Sequence, residues 1–190
     1  NNAVPLSEMK KRVPEAANIV HMSSHLDARI FELSGGQKQR VALAGVLVND
    51  VDIVLFDEPL ANLDPASGLS AMALIDELQK KEKKTVIIVE HRLEDVLSQS
   101  VDRIILVDGG RIVADTTPNE MLASSLLPAH SIREPLYIRA LKSAQCELNP
   151  AMKLTDVHQL NTAYFADKIN TWTNNIQVPK REVDTQTPIL

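Results

Sequence analysis

The sequence contains few residues of several kinds, and each shortage excludes a class of protein. Cys146 is the only cysteine, so the chain cannot close an internal disulfide or build a cysteine metal cluster, and a reducing compartment fits. His21 and His25 are four residues apart, but no third ligand accompanies them, so we expect no metal site there. No apolar run approaches the roughly 18 residues of a membrane span, and the start lacks a signal-peptide pattern. We therefore expect a chain that neither crosses a membrane nor carries its own export signal.

The sequence also has no excess of positive charge, with 20 Lys and Arg against 25 Asp and Glu. The formal net charge is -5, and the lysine-rich run from Lys80 to Lys84 is interrupted by Glu82. Such a chain has no general electrostatic attraction for nucleic acid or anionic lipid, so we do not expect a nucleic-acid partner. With 190 residues, 44% of them hydrophobic, the chain is nevertheless long enough to bury a core, and its length allows one domain plus an appendage.

The six glycines do not include a phosphate-binding loop, because no two of them stand in a Gly-x-x-x-x-Gly-Lys-[Ser/Thr] pattern. Two are adjacent, in the run Leu-Ser-Gly-Gly-Gln at residues 33 to 37. Ser34 is a good helix N-cap and Gln37 completes a capping box, so a helix is predicted to begin at this turn.

The same turn is suited to binding an anion. Backbone N–H groups and the positive end of the dipole lie at a helix start, and paired glycines would let phosphate oxygens approach closely. A simple cap explains Ser34 and Gln37 but leaves Gly35 and Gly36 each costing about 0.5 to 1 kcal/mol without a benefit. We therefore favour the phosphate-binding interpretation.

The apolar pattern after this helix alternates between strands and helices. A continuous apolar run at residues 53–56 is typical of a parallel strand covered on both faces, and a second strand is predicted at 85–89. An amphipathic helix separates them, which favours a crossover within one parallel sheet. Further predicted elements are a helix over 6–22, a short helix at 93–97, an antiparallel hairpin of 104–107 with 111–114, and a helix from Pro118 through Leu127.

Three ionisable residues follow the two predicted strands at their carboxyl ends, where open α/β sheets place their ligands. Asp57 and Glu58 follow the first strand, and His91 follows the second. Adjacent strand residues point to opposite faces, so Asp57 is predicted to hold Mg²⁺ and Glu58 to orient or deprotonate an attacking water. If the strands are neighbours, His91 lies near Glu58 and could hydrogen-bond a terminal phosphate.

Four segments resemble, in order and spacing, the motifs of the ATP-binding cassette ATPases: residues 33–40, 54–59, 61–64 and 90–91. The resemblance covers roughly residues 1–127 and implies ATP and Mg²⁺ as cofactors. The residues it implies as nucleotide contacts are the signature residues Ser34, Gly35, Gly36 and Gln37 and the D-loop residue Asp64. It further implies that Asp57 is the Walker B metal ligand and that the catalytic residues are the carboxylate Glu58 and the switch histidine His91.

By this resemblance the fold is α/β, the C-terminal half of a cassette nucleotide-binding domain with a parallel sheet, covering helices and an antiparallel hairpin. Residues 1–127 are the partial domain, with a helical subdomain over about 1–48 and half of the catalytic core over about 49–127. Prolines and an Asn- and Thr-rich stretch indicate a partly irregular inter-domain linker over 128–190, with a helix near 136–146 and little core of its own.

The family's Walker A lysine, Q-loop glutamine and adenine-stacking aromatic would precede residue 1. The chain is therefore expected to be a truncated piece that cannot bind or hydrolyse ATP alone. In this family two nucleotide domains sandwich two ATP molecules, and each signature contacts the nucleotide held by the opposite domain. The signature of this chain is thus expected to serve a nucleotide bound elsewhere.

The linker resembles the connector in tandem cassette proteins of energy-coupling-factor and cobalt-type importers. The resemblance implies an ATPase subunit that energises import of a vitamin, a vitamin precursor or a metal ion, at the inner face of the cell membrane. Its partners would be integral membrane subunits and a second nucleotide-binding domain, possibly on the same polypeptide. Two alternatives stay open: a cassette ATPase of repair, chromosome or translation machinery, although 128–190 has no heptads or basic blocks, and a non-enzymatic dimerisation fragment.

Overall fold

The computed structural model describes residues 4–49, 51–61 and 63–175, which form helices and two small two-stranded sheets. The α-helices are α1 (Leu6–Ile19), α2 (Gly35–Leu47), α3 (Pro65–Lys81), α4 (Leu93–Val96), α5 (Pro118–Ala123), α6 (Leu126–Ala129), α7 (Leu136–Ser143) and α8 (Thr162–Asn175). The strands are β1 (Ile53–Asp57), β2 (Thr85–Val89), β3 (Ile104–Asp108) and β4 (Arg111–Thr116), and single 3-10 turns lie at Ser23–His25, Ile30–Glu32 and Pro150–Met152. None of the helices in these ranges combines the length and the apolar character that crossing a bilayer requires.

β1 and β2 lie side by side and parallel, as the sequence predicts. The register runs from Ile53 opposite Thr85 to Asp57 opposite Val89, and α3 makes the crossover between the strands. β3 and β4 form the predicted antiparallel hairpin, and both glycines of its turn, at 109–110, have positive φ. The predicted α/β fold is confirmed.

Only one face of the β1–β2 sheet is covered within the described residues. Val54 is buried in a cluster with Leu74 and Leu78 of α3. Side chains of the opposite face are exposed: Ile53, Leu55, Ile87 and Val89. The prediction that both faces of β1 are covered is therefore wrong for this chain. A continuous apolar run suits a strand with helices packed on both of its faces. In the described residues, helices pack on only one face of this strand.

Capping boxes fix the starts of α2 and α5 where the sequence predicts them. Ser34 and Thr117 each accept a hydrogen bond from the N–H three residues on, and the side chains of Gln37 and Glu120 bond back to the cap N–H. The bonds from Thr116 and Thr117 to the Glu120 carboxylate lower its pKa to about 2.

Two helices end earlier than predicted for local reasons. α1 ends at Ile19 rather than at residue 22, because His21 adopts a φ of +56°, which a right-handed helix cannot contain. α5 ends before the predicted residue 127, because the Ser124 hydroxyl donates to the Met121 carbonyl and accepts from the N–H of Leu126.

Residues 128–175 pack into a core instead of standing apart as a linker. Their buried side chains join those of the hairpin and the preceding helices in one cluster: Leu97, Leu106, Met121, Leu122, Leu127, Ile138, Leu141, Ala144, Cys146, Leu154, Leu160 and Phe165. The predicted helix of this segment is present as α7, but it ends at Ser143 rather than at residue 146, since Gln145 has a positive φ. The core of the segment is shared with the preceding elements. The division at residue 127 stays a prediction, and residues 176–190 of the predicted linker lie outside the described residues.

Truncation of Ile138 tests this packing. Ile138 is 0% exposed, whereas Leu136, in the same helix, is 55% exposed. We expect Ile138→Ala to lower the free energy of unfolding of the chain by about 2 to 5 kcal/mol, since a large buried side chain leaves a cavity. Urea unfolding followed by circular dichroism measures the change. Leu136→Ala is the matched control, with an expected loss below about 0.5 kcal/mol, and equal losses in the two variants would contradict the packing of α7.

Candidate nucleotide site

The predicted signature residues form the first turn of α2. The Ser34 N–H donates to Gln37 Oε1 at 2.8 Å, and the Gln37 N–H donates to Ser34 Oγ at 3.3 Å. A Cβ added at Gly35 or Gly36 would meet no atom of another part of the described chain within 4 Å, so packing among the described residues does not require glycine there. An open glycine turn at a helix start is the arrangement that a bound anion needs.

His25 holds the Gln37 side chain from the turn before α2. The two Nε2 atoms lie 3.1 Å apart, and since the amide nitrogen of Gln37 is a donor, His25 Nε2 accepts. The hydrogen-bond pattern thus assigns the imidazole proton to Nδ1, which donates to Ser24 Oγ at 2.9 Å. His21 bonds instead to Glu77, at 3.0 Å. The contact between His25 and Gln37 could not be predicted from the sequence, because a separation of twelve residues matches no local helix or turn pattern.

The predicted catalytic residues meet at the carboxyl ends of β1 and β2. His91 Nδ1 lies 3.7 Å from Glu58 Oε1, and both side chains are largely exposed. Asp57 is the last residue of β1 and sits opposite Val89 of β2. The parallel pairing of the strands therefore brings Asp57, Glu58 and His91 to one edge, as expected from their positions after the strands.

Glu58 has an unusual backbone conformation. Its φ is +47°, in the left-handed region that residues with a side chain rarely adopt, and its N–H donates to Val89 O at 2.9 Å. The alternation rule that separates the directions of Asp57 and Glu58 does not apply, because Glu58 lies one residue past the strand. Strained conformations of this kind occur at many functional sites, and this residue lies 3.7 Å from His91 at the strand end.

Asp64 caps α3. Its carboxylate accepts hydrogen bonds from the N–H groups of Ala66 and Ser67 at 3.0 Å and from the Ser67 hydroxyl, and these bonds hold the pKa of Asp64 below its usual value. Pro65 follows as the first helical residue. The capping role was missed in the sequence, and the predicted contact of Asp64 with nucleotide stays a prediction.

A cavity of about 560 Å³ lies between α2, β1 and α3. Ser34, Gly36, Gln37 and Asp57 are among its lining residues, together with apolar side chains of the three elements. Four other predicted site residues do not line this cavity: Gly35, Glu58, Asp64 and His91.

The chain is similar to several known proteins. Residues 1–61 match the family model of ABC transporters, and residues 124–190 match a family described as ATP-binding cassette cobalt transporter. An ABC transporter ATP-binding protein of Clostridium perfringens is 54% identical over 187 residues, which are 98% of this chain and 33% of that protein. One of Photobacterium profundum is 52% identical over 172 residues, 90% of this chain and 30% of that protein.

The chain belongs to the ATP-binding cassette family. Among solved structures, cbiO1 from Clostridium perfringens, part of the ABC transporter complex cbiONQ, is 32% identical with a TM-score of 0.61, covering 75% of this chain and 57% of that chain. The ADP conformation of an ATP-binding cassette of another ABC transporter is 26% identical with a TM-score of 0.59, covering 70% and 54%. The chain spans about a third of the length of the curated relatives.

The donor set at the strand ends fits Mg²⁺ as cassette ATPases use it. Asp57 offers an exposed carboxylate, and no group of three or more His, Cys, Asp or Glu side chains in the described residues is arranged to hold a metal ion. Mg²⁺ is usually bound by one or two carboxylates, with phosphate oxygens and waters completing the octahedron. A single protein ligand, Asp57, is consistent with that pattern.

Proposed function

We propose that the whole protein is an ATP-hydrolysing subunit that energises import of a small solute across a membrane. The observation that carries the proposal is the meeting of Glu58 and His91, 3.7 Å apart, at the carboxyl ends of two parallel strands. Family membership adds a transporter setting. It does not by itself say which residues act.

Each residue of the site has a separate task in this proposal. Glu58 orients the attacking water and takes its proton, and His91 hydrogen-bonds the terminal phosphate and keeps the Glu58 side chain on that side of the sheet. Asp57 holds Mg²⁺, which when bound neutralises phosphate charge. The glycine turn of α2 receives the phosphates of a nucleotide bound by a second domain.

We propose a vitamin, a vitamin precursor or a metal ion as the solute. The match of residues 124–190 to an ATP-binding cassette cobalt transporter family supports this class, and so does the likeness to cbiO1, a part of the complex cbiONQ. The partners would be integral membrane subunits and a second nucleotide-binding domain, either on the same polypeptide or on another one. The protein would lie on the inner face of the cell membrane.

We also propose that the 190-residue chain alone does not bind ATP. Its sequence has no Gly-x-x-x-x-Gly-Lys-[Ser/Thr] loop, which in many ATPases supplies the main phosphate contacts. The exposed apolar face of the β1–β2 sheet supports the same view, because such a face is normally covered. In the whole protein, further residues would cover this face and complete the phosphate site.

Calorimetric titration with Mg-ATP tests both proposals together. We expect the whole protein to bind ATP and to hydrolyse it, and the 190-residue chain to show no binding at micromolar nucleotide. Circular dichroism of the chain is the control that it is folded during the titration. Micromolar binding by the folded chain would contradict its proposed inactivity, and a whole protein without hydrolysis would contradict the proposed function.

A further inference from the structure

Glu90 is a buried carboxylate between the two halves of the catalytic edge. Its side chain is only 2% exposed, although it lies between the exposed strand end and His91. A buried charge is costly unless hydrogen bonds compensate for lost water. Glu90 Oε1 accepts from the N–H groups of His91 at 2.9 Å and of Arg92 at 3.1 Å, and it also lies 3.3 Å from His91 Nδ1. Oε2 accepts from the N–H of Leu60 at 3.4 Å.

Arg92 also bonds to the Leu60 backbone. Its Nη1 donates to the carbonyl of Leu60 at 3.1 Å, while Nη2 pairs with Asp95 at 2.6 Å. The Leu60 backbone is therefore bonded at its N–H by Glu90 and at its C=O by Arg92. The Leu60 side chain is 0% exposed and packs in a cluster with Val96 of α4, which follows the histidine.

These bonds join two loops that carry the catalytic residues. We call residues 58–61 the Glu58 loop and residues 90–92 the His91 loop. Within the Glu58 loop, the Ala61 N–H donates to Glu58 O at 3.0 Å, so the position of Leu60 determines the turn on which Glu58 lies. Glu58 and His91 are thus held in one geometry by contacts on the buried side of both loops.

We propose that Glu90 is a positioning residue for ATP hydrolysis, whose carboxylate locks the Glu58 loop to the His91 loop. It does not touch nucleotide, since its side chain is buried beneath the loops. Its effect passes through the His91 imidazole that it contacts and through the relative position of Glu58 and His91. The effect on catalysis rests on the proposed function. The connection between the two loops rests on the hydrogen bonds alone.

Glu90→Gln distinguishes the bonds to the His91 and Arg92 N–H groups from the bond to the Leu60 N–H. The carboxamide has the same shape, and its one oxygen can still accept from the N–H groups of His91 and Arg92. Its NH₂ group then faces the Leu60 N–H, so two donors meet and the bond between the loops is lost. In the whole protein we expect kcat for ATP hydrolysis to fall about 10- to 100-fold, with KM unchanged, because the lost bond involves a charged acceptor and the defect lies in orientation.

Glu94→Gln is the matched control. It removes the same charge four residues later, from an exposed carboxylate that bonds to the N–H of Leu136 rather than to the Glu58 loop. We expect kcat and KM of this variant to equal those of the wild type. A comparable loss of kcat in Glu94→Gln would show that local charge, and not the lock, controls the rate.

Amide hydrogen exchange tests the lock independently of catalysis. In Glu90→Gln the Leu60 amide should exchange faster, with no change in Glu94→Gln, because only the former loses the bond to Leu60 N–H. Unchanged exchange at Leu60 would overturn the lock. Faster exchange with a wild-type kcat would overturn the positioning role while leaving the proposed function intact. A wild-type protein without ATPase activity would instead overturn the proposed function and, with it, the catalytic part of this inference.

Discussion

Glu58→Gln in the whole protein is expected to lower the rate of ATP hydrolysis by about 10²- to 10⁴-fold, the range that a general base contributes. The amide keeps the size and the hydrogen-bonding reach of the carboxylate but cannot accept the proton of the attacking water. ATP binding should be unchanged, because in our proposal Glu58 acts on water and Asp57 holds the metal ion. Single-turnover hydrolysis and equilibrium nucleotide binding measure the two effects separately.

Glu82→Gln is the control for this variant. Glu82 is an exposed glutamate that follows α3 and precedes the amino end of β2, so it lies at the opposite end of the strand from His91. The control should hydrolyse ATP at the wild-type rate. Wild-type hydrolysis by Glu58→Gln would refute the assignment of Glu58, and weakened ATP binding would mean that the carboxylate acts on the nucleotide or its metal.

The meeting of Glu58 and His91 could be predicted because it follows from strand order. Two apolar runs separated by one helix specify adjacent parallel strands, and residues after such strands reach one edge. The starts of α2 and α5 were equally accessible, since a capping box is a contact between residues three positions apart. The positive φ of Glu58 could not be predicted, because no local sequence pattern indicates a left-handed conformation at a glutamate.

Contacts over long separations were the ones that sequence reasoning missed. Glu90 bonds to Leu60, thirty residues away, and nothing in the order Val-Glu-His shows that the carboxylate is buried. The packing of the segment after residue 127 was not predicted for a different reason. Its prolines and polar residues are typical of a linker, but a few widely spaced apolar side chains, such as Ile138 and Phe165, suffice to bury it against the hairpin and its helices.

Gly36→Ala in the whole protein should lower the rate of ATP hydrolysis without lowering the stability of the fold. The described chain leaves space for a methyl group at Gly36, so the fold should tolerate alanine and the helix should gain slightly in stability. In our proposal this space is needed by phosphate oxygens of a nucleotide held by another domain. A forced contact costs about 1 to 3 kcal/mol, so we expect hydrolysis to fall about 10- to 100-fold. Steady-state hydrolysis and thermal unfolding are the measurements.

Gly45→Ala is the matched control, because Gly45 is also in α2 and also has open space for a Cβ, but it lies near the other end of the helix. It should gain stability without losing activity. Gly36→Asp should be more damaging than Gly36→Ala, since a carboxylate about 4 Å from a phosphate charge is opposed by about 4 kcal/mol at an effective dielectric constant of 20, close to 10³-fold in rate. If Gly36→Asp hydrolyses ATP as well as Gly45→Ala does, the first turn of α2 does not receive phosphate and the glycines there need another explanation.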